Sequence, residues 1–235
     1  MIPVLRLSTA VLLISCALSA QTGAYHFVQM SVRGSGAALT IRSGGGKLTI
    51  NGAEAVFTGQ AGTGNQAATA LTATTSLNDG LLGNPLTPGQ SLRLKASRDG
   101  AILVGSSVGA DASTGYDLLV AVRQGTAAPR VQGSYSGAYF AVKGGQATGL
   151  TTAFLDFVST APQWNTATIL GHTAARDDVN REEKLSGTTY TLGAEGAGVV
   201  RFPPQSDLLS GERQLMASAD GAILLTTLIW GSTFA

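Results

Sequence analysis

Apolar and polar residues alternate along much of the chain with a period of two. Arg93 and Lys95 separate Leu92, Leu94 and Ala96, Thr49 separates Leu48 from Ile50, Thr40 separates Leu39 from Ile41, and Thr191 separates Tyr190 from Leu192. Successive side chains of a strand point to opposite faces, so this spacing gives one apolar and one polar face, as in an antiparallel sheet with one wet side. Turn residues punctuate the runs. Asp99-Gly100 and Asp220-Gly221 each separate two strand-like runs by two residues, and Asp-Gly tolerates the positive φ of a tight hairpin. Ser43-Gly44-Gly45-Gly46 predicts a joint between two short strands, and Gly193 to Gly198 predicts another. About seven strands per half follow from this spacing. The predicted fold class is all-β, an antiparallel meander that is barrel- or sandwich-like.

The pattern also occurs twice. Ala96-Ser97-x-Asp99-Gly100-Ala101-Ile102-Leu103 matches Ala217-Ser218-x-Asp220-Gly221-Ala222-Ile223-Leu224 at an offset of 121 residues, which predicts a duplication. Gly23-Ala24-Tyr25 matches Gly133-Ser134-Tyr135 at an offset of 110. The second copy therefore carries eleven extra residues, for which the charged stretch Arg176 to Lys184 is the natural place. The predicted division is a signal peptide over residues 1–20, a first β repeat copy over 21–129 and a second over 130–235. In the first copy the hairpin leads to Tyr116-Asp117-Leu118-Leu119-Val120-Ala121-Val122-Arg123, a strong strand. Its counterpart would begin near residue 237, so copy 2 is expected to lack its last strand or the chain to be a fragment. A missing strand leaves an unpaired edge that invites another partner.

The leader changes the compartment. Arg6 precedes the largely apolar run Leu7 to Leu18, and Ala17-Leu18-Ser19-Ala20 offers small residues for cleavage before Gln21. The run is too short for a membrane helix, which takes about 20 apolar residues. Leu13-Ile14-Ser15-Cys16 competes as a lipobox, in which Cys16 would be acylated and anchor the chain to a membrane. Cleavage after Ala20 leaves Lys+Arg at 14 against Asp+Glu 14 and no cysteine. The expected location is secreted or at the cell surface, of bacterial type, since small animal ectodomains are usually disulfide-dense. Charged residues are only 12% of the chain, against about 25% in ordinary domains, and no basic stripe is present to meet phosphates, so nucleic acid is not an expected partner.

Motifs of chemistry are weak. Gly105-Ser106-Ser107-Val108-Gly109 fits G-x-S-x-G without the strand–turn–helix context that a nucleophile elbow needs. Gly62-Thr63-Gly64-Asn65-Gln66-Ala67 fits G-x-G-x-x-A without a βαβ unit. His26 and His172 are isolated from one another and from cysteine, which is not metal-ligand spacing. Arg176 to Lys184 holds seven charged residues among nine, in which Asp177, Asp178, Asn180 and Glu182 do not follow the calcium-loop spacing and basic residues are interleaved. It reads as a solvated insertion. Asp99 and Asp220 could be paired carboxylates for glycoside hydrolysis, but their turn context accounts for them. Trp164, Tyr135 and Tyr139, with Trp230 and Phe140, are the candidate ligand surface by sugar stacking, with core packing as the alternative. No catalytic residue, cofactor-binding residue or metal ligand is expected.

Gly23-Ala24-Tyr25-His26-Phe27, the run Ser91 to Ser107 and the run Tyr116 to Arg123 resemble uncharacterised secreted β-repeat proteins of acidobacterial type. The resemblance covers most of the mature chain and lies in turns and strands rather than in a site. It implies export and a β fold, and carries over no catalytic residue and no ligand. The end at Ala235 departs from that pattern. The expected function is an exported non-enzymatic β-rich module for surface or matrix interaction or carbohydrate binding, with an extracellular glycan or another β module as partner. The alternatives are an outer-membrane β-barrel and a secreted polysaccharide hydrolase.

Overall fold

The computed structural model describes residues 22–34, 40–63, 68–109, 115–142, 150–173 and 181–228. These residues form sixteen strands and no helix, so the chain is all-β, as its period-two pattern predicts. Eight strands run in sequence order: β1 (Gly23–Arg33), β2 (Thr40–Asn51), β3 (Glu54–Thr63), β4 (Thr69–Asn78), β5 (Leu81–Gly83), β6 (Ser91–Ala96), β7 (Ile102–Ser107) and β8 (Tyr116–Arg123). Each pairs antiparallel with the next, and β8 returns to pair with β1, which closes a barrel. Its interior is filled rather than hollow. Tyr25, Phe27, Leu48, Ile50, Phe57, Leu92, Leu94, Leu103 and Leu119 are fully or almost fully buried in one cluster. Phe27 meets Phe57 edge to face at 5.0 Å.

The remaining strands are β9 (Gln132–Val142), β10 (Leu150–Thr160), β11 (Gln163–Thr173), β12 (Arg181–Lys184), β13 (Thr188–Leu192), β14 (Ala197–Phe202), β15 (Gly211–Ala217) and β16 (Leu224–Leu228). They form a second antiparallel sheet in the order β16-β15-β14-β13-β11-β10-β9, with β12 paired to β11. Its core is aromatic. Phe157 stacks on Trp164 at 3.9 Å and on Tyr135 at 5.0 Å, and Trp164 meets Phe202 edge-on at 5.5 Å. Among the described residues this sheet does not close, and β9 and β16 are its two ends.

Several local expectations need correction. Ser43 to Gly46 is not a joint, because β2 runs through it without a break in register from Thr40 to Asn51. The glycines serve close approach instead. Gly46 has φ 152° and pairs with Gly59, and a Cβ on Gly59 would collide with the Gly45 carbonyl. Glycine is what a strongly coiled strand pair needs where two backbones come this near. Among the described residues each half has eight strands, where the spacing predicts about seven, since the short β5 and β12 escape a pattern search. The charged run is only in part an insertion. Its last four residues form β12, and Glu183 accepts from Ser206 Oγ at 2.6 Å and from the amide of Asp207 at 3.1 Å. Residues 176–180 lie outside the described residues.

Candidate functional site

The two Asp-Gly hairpins are built alike. Ser97 Oγ donates to Asp99 Oδ1 at 2.6 Å, the Ala101 amide donates to the same oxygen at 3.0 Å, and the Ile102 amide donates to Ser97 Oγ at 2.9 Å. Ser218, Asp220, Ala222 and Ile223 repeat these three bonds at 2.6, 3.0 and 2.9 Å. The positive φ falls on Gly100 and Gly221, not on the aspartates. Each aspartate closes an Asx-type turn, and the loop is longer than two residues. Hydrogen bonding, first from the serine hydroxyl and then from the amide, holds Asp99 and Asp220 below the usual carboxylate range. Both are therefore ionised at neutral pH, and neither is placed to act as a general acid, which needs a raised value.

The matched tyrosines explain the second shared motif. Tyr25 Oη donates to the Gly100 carbonyl at 3.3 Å, and Tyr135 Oη donates to the Gly221 carbonyl at 2.8 Å. Each half thus ties its first strand to the tip of its Asp-Gly hairpin. The Tyr25 ring also lies under the Arg123 guanidinium at 5.6 Å, and Arg123 Nη2 donates to Tyr25 Oη at 3.2 Å. Burial raises the pKa of Tyr135.

A polar network closes one end of the barrel. In β1 the inward positions run Tyr25, Phe27, Gln29, Ser31, so the apolar series ends at Gln29. Gln29 Nε2 donates to Asn84 Oδ1 at 2.8 Å. Arg33 Nη2 donates to Thr87 Oγ1 at 2.6 Å, Gln90 Oε1 at 2.9 Å and Asp117 Oδ2 at 2.8 Å. The Asp117 side chain is fully buried, and such a carboxylate persists only when paired. The cluster holds no nucleophile beside a base, so it fits a structural plug.

His26 faces outward from β1 yet is buried, because the second sheet covers it. Its Nε2–H donates to the Glu195 carbonyl at 2.6 Å, since a carbonyl can only accept, and its Nδ1 accepts from Gln124 Nε2 at 3.2 Å. Desolvation lowers its pKa, and Lys47 adds to that, against the Glu195 carbonyl and carboxylate. Thr227 of β16 and Gln214 of β15 reach β2 beside it. A Cβ on Gly45 would lie 2.7 Å from Thr227 Cγ2.

That contact defines two comparable faces. Tyr25 pairs with Leu48 and Tyr135 pairs with Phe157, which aligns β1–β2 with β9–β10. Gly45 then corresponds to Phe154, Ser43 to Thr152, Gln60 to Leu170 and Gly62 to His172. On the barrel, Ser43, Gly45, Gln60 and Gly62 sit beside Gln214 and Thr227, and only about 10 Å³ stays open. On the open sheet, Thr152, Phe154, Leu170 and His172, with Ala138 and Tyr139, line a hollow of about 470 Å³. Phe154 is 68% exposed and Leu170 44%.

The candidate ligand surface is therefore divided. Trp164 is only 3% exposed and belongs to the second core, so it offers no stacking face. Tyr135 is half-buried over Phe157, and Tyr139 lines the hollow. Cys16 and Trp230 lie outside the described residues, as do the side chain of Phe140 and residues 64–67 of the glycine motif. Ser107 ends β7, where its Oγ accepts from the Asp117 amide at 2.9 Å. Among the described residues, no group of three His, Cys, Asp or Glu is placed to hold a metal ion, and no helix is long and apolar enough to cross a membrane. Sequence reasoning missed Phe154 and Leu170. The available signal was an apolar residue at outward positions of β10 and β11, between Thr152 and Asp156 on one strand and between Thr168 and His172 on the other. No family model, curated protein or solved structure matches this chain.

Proposed function

We propose that the chain is an exported, non-enzymatic β-rich module that works by binding another β module, and that the outer face of β10 and β11 makes the contact. The carrying observation is the pair of corresponding faces. On the barrel the face is covered by a β-hairpin, β15–β16. On the open sheet two of the four corresponding positions, Phe154 and Leu170, are apolar and exposed, flanked by Thr152 and His172, and the face is uncovered among the described residues. A contiguous exposed apolar patch is costly in water unless something covers it. The internal contact supports the outer face of another hairpin as the occupant.

Export rests on Arg6, the run Leu7 to Leu18 and the small residues before Gln21. The two halves are read as copies of one unit, a reading supported by the repeated Tyr-to-Gly bond and the repeated aspartate turn. The filled apolar interior, with Arg93 and Lys95 exposed outside, favours a water-facing barrel over an outer-membrane one, whose lumen is polar and whose outer band is apolar. The ionised turn aspartates weigh against a hydrolase pair.

The test is sedimentation of the exported product with a second copy as the probe. Reversible self-association at concentrations on the order of tens of micromolar, lost in Phe154→Ser, is the expected result. A wild-type monomer at about tenfold higher concentration would overturn the reading. Phe154-dependent binding of that monomer to a polysaccharide panel would replace it with the glycan reading.

A further inference from the structure

The seam between β9 and β16 is the second uncovered feature, and it lies on the sheet edge rather than on the outer face. In the barrel the corresponding strands, β1 and β7, are joined by β8, which is antiparallel to both. Tyr25 to Val32 pair residue for residue with Arg123 to Tyr116. In the open sheet β9 and β16 have no such partner among the described residues. The consequence for burial is plain. Tyr25 and Phe27 are buried, whereas Gly137 is exposed and Tyr135 is half-buried. An edge strand leaves every second backbone N–H and C=O without a ladder partner.

The fittings that receive β8 are nonetheless repeated. The Tyr135–Gly221 bond spans the seam at its end, as Tyr25–Gly100 does in the barrel. There Arg123, the last residue of β8, sits over the Tyr25 ring and donates to its hydroxyl. Arg123 also favours the charged form of Asp99, whereas the charged neighbour that bears on Asp220 is Asp99, a like charge. The open sheet therefore keeps the aromatic face and the carboxylate, and among the described residues no arginine is seen over Tyr135 as Arg123 is over Tyr25. Inside, β8 contributes Leu119 and Ala121 to the first core. In the second core Tyr135, Tyr139 and Leu224 are only partly buried.

We propose that this seam binds an extended segment of another polypeptide as an added antiparallel strand, with alternate apolar side chains entering the second core and an arginine seated over Tyr135 beside Asp220. Main-chain hydrogen bonds to β9 and β16 supply affinity, and the inward positions supply selectivity. The arginine supplies a cation–π contact and removes the like-charge imbalance at the hairpin. The composition of β8 defines the ligand class, an alternating strand of about eight residues ending in arginine.

A peptide with the sequence of residues 115–124 is the probe, titrated into the full exported chain by fluorescence polarisation. Saturable binding is expected, with slowed amide exchange in β9 and β16 and none gained in β1. Replacing the peptide residue equivalent to Arg123 by glutamine should weaken binding about tenfold, the scale of one desolvated cation–π contact. A peptide N-methylated at alternate residues keeps its side chains and loses its ladder donors, so it should not bind. Retained binding of the methylated peptide would falsify strand addition. So would the absence of saturation at about 1 mM. Phe154→Ser should leave peptide binding unchanged, so failure here is distinct from failure of the outer-face contact.

Discussion

β1 and β9 carry the same tyrosine, tied to the same hairpin carbonyl, yet Tyr25 is buried and Tyr135 only half-buried, with Ser136, Gly137 and Ala138 exposed beside it. Part of the difference is in the strands, since Gly137 stands where β1 has Phe27. The rest lies in β8, which pairs with β1 and has no counterpart beside β9 among the described residues. A neighbour decides what an edge becomes, because a strand's burial comes from ladders on both sides and from the closure they permit. The barrel also has its Arg33–Asp117 plug, and Asp117 is itself a β8 residue. One strand thus supplies the closure, part of the core and half of the ion pair that stops the end. The open sheet meets the corresponding loss with an aromatic core, Tyr135 on Phe157 on Trp164, in place of the leucine-rich packing of the barrel.

Breaking β8 should therefore make the barrel resemble the open sheet. Leu119 is fully buried and pairs with Gln29 on one side and Gly105 on the other. Leu119→Pro removes a ladder donor and a core side chain together. The expected cost is more than about 3 kcal/mol, read as a fall in the denaturant midpoint, with β1 amides gaining exchange rates like those of β9. If β1 stays protected in a stably folded variant, β8 is not what distinguishes the two halves.

The reach of the sequence ends where this comparison begins. Period-two alternation at Leu92–Ala96 and Leu48–Ile50 made the fold class legible, because burial on one face of a strand leaves a local mark. The Asp-Gly turns and the Gly-x-Tyr motif were legible as signals, but their meeting at Gly100 and Gly221 was not, since it joins residues 75 and 86 positions apart. Ser43–Gly46 misled because glycine serves both turns and close strand approach, and only Gly59 on the neighbouring strand distinguishes them. His26 could be placed on a strand face, but nothing local shows that Glu195 and Gln124 cover it. The hollow beside Phe154 is legible only once β10 and β2 can be aligned by register.

The contact between the halves gives a second, smaller effect. His26 titrates below its ordinary 6.5 because burial disfavours the imidazolium. The unfolded chain then takes up the proton first as pH falls. The contribution is complete above about 6.5 and is lost as pH falls from there towards the lower folded value. Lys47 and Glu195 face the ring with opposite signs and bear on it less than burial does. Melting temperature should decline between about pH 7.5 and pH 5, and His26→Gln should flatten that part of the profile. An unchanged slope in the variant would assign the pH dependence to another group.

The smallest effect compares the two aspartate turns, which share their three serine–aspartate and amide bonds but differ in their charged neighbours. Both carboxyls are held below 3.8, chiefly by the serine hydroxyl and next by an amide. Their contribution is therefore present above the ordinary carboxylate value and is lost as pH falls through the folded one. Asp99 has Arg123 in its favour, and Asp220 has Asp99 against it. Asp99→Asn and Asp220→Asn should each lower the melting temperature slightly at neutral pH, and Asp99→Asn the more, because the Asp99 carboxylate also has the nearby Arg123 charge in its favour. Each single variant also relieves the repulsion between the two carboxylates, a relief the double variant can gain only once, so the double variant should lose more than the two single losses added together. Strict additivity in that cycle would mean that the two hairpins, which carry the same motif in both halves, do not sense one another across the contact.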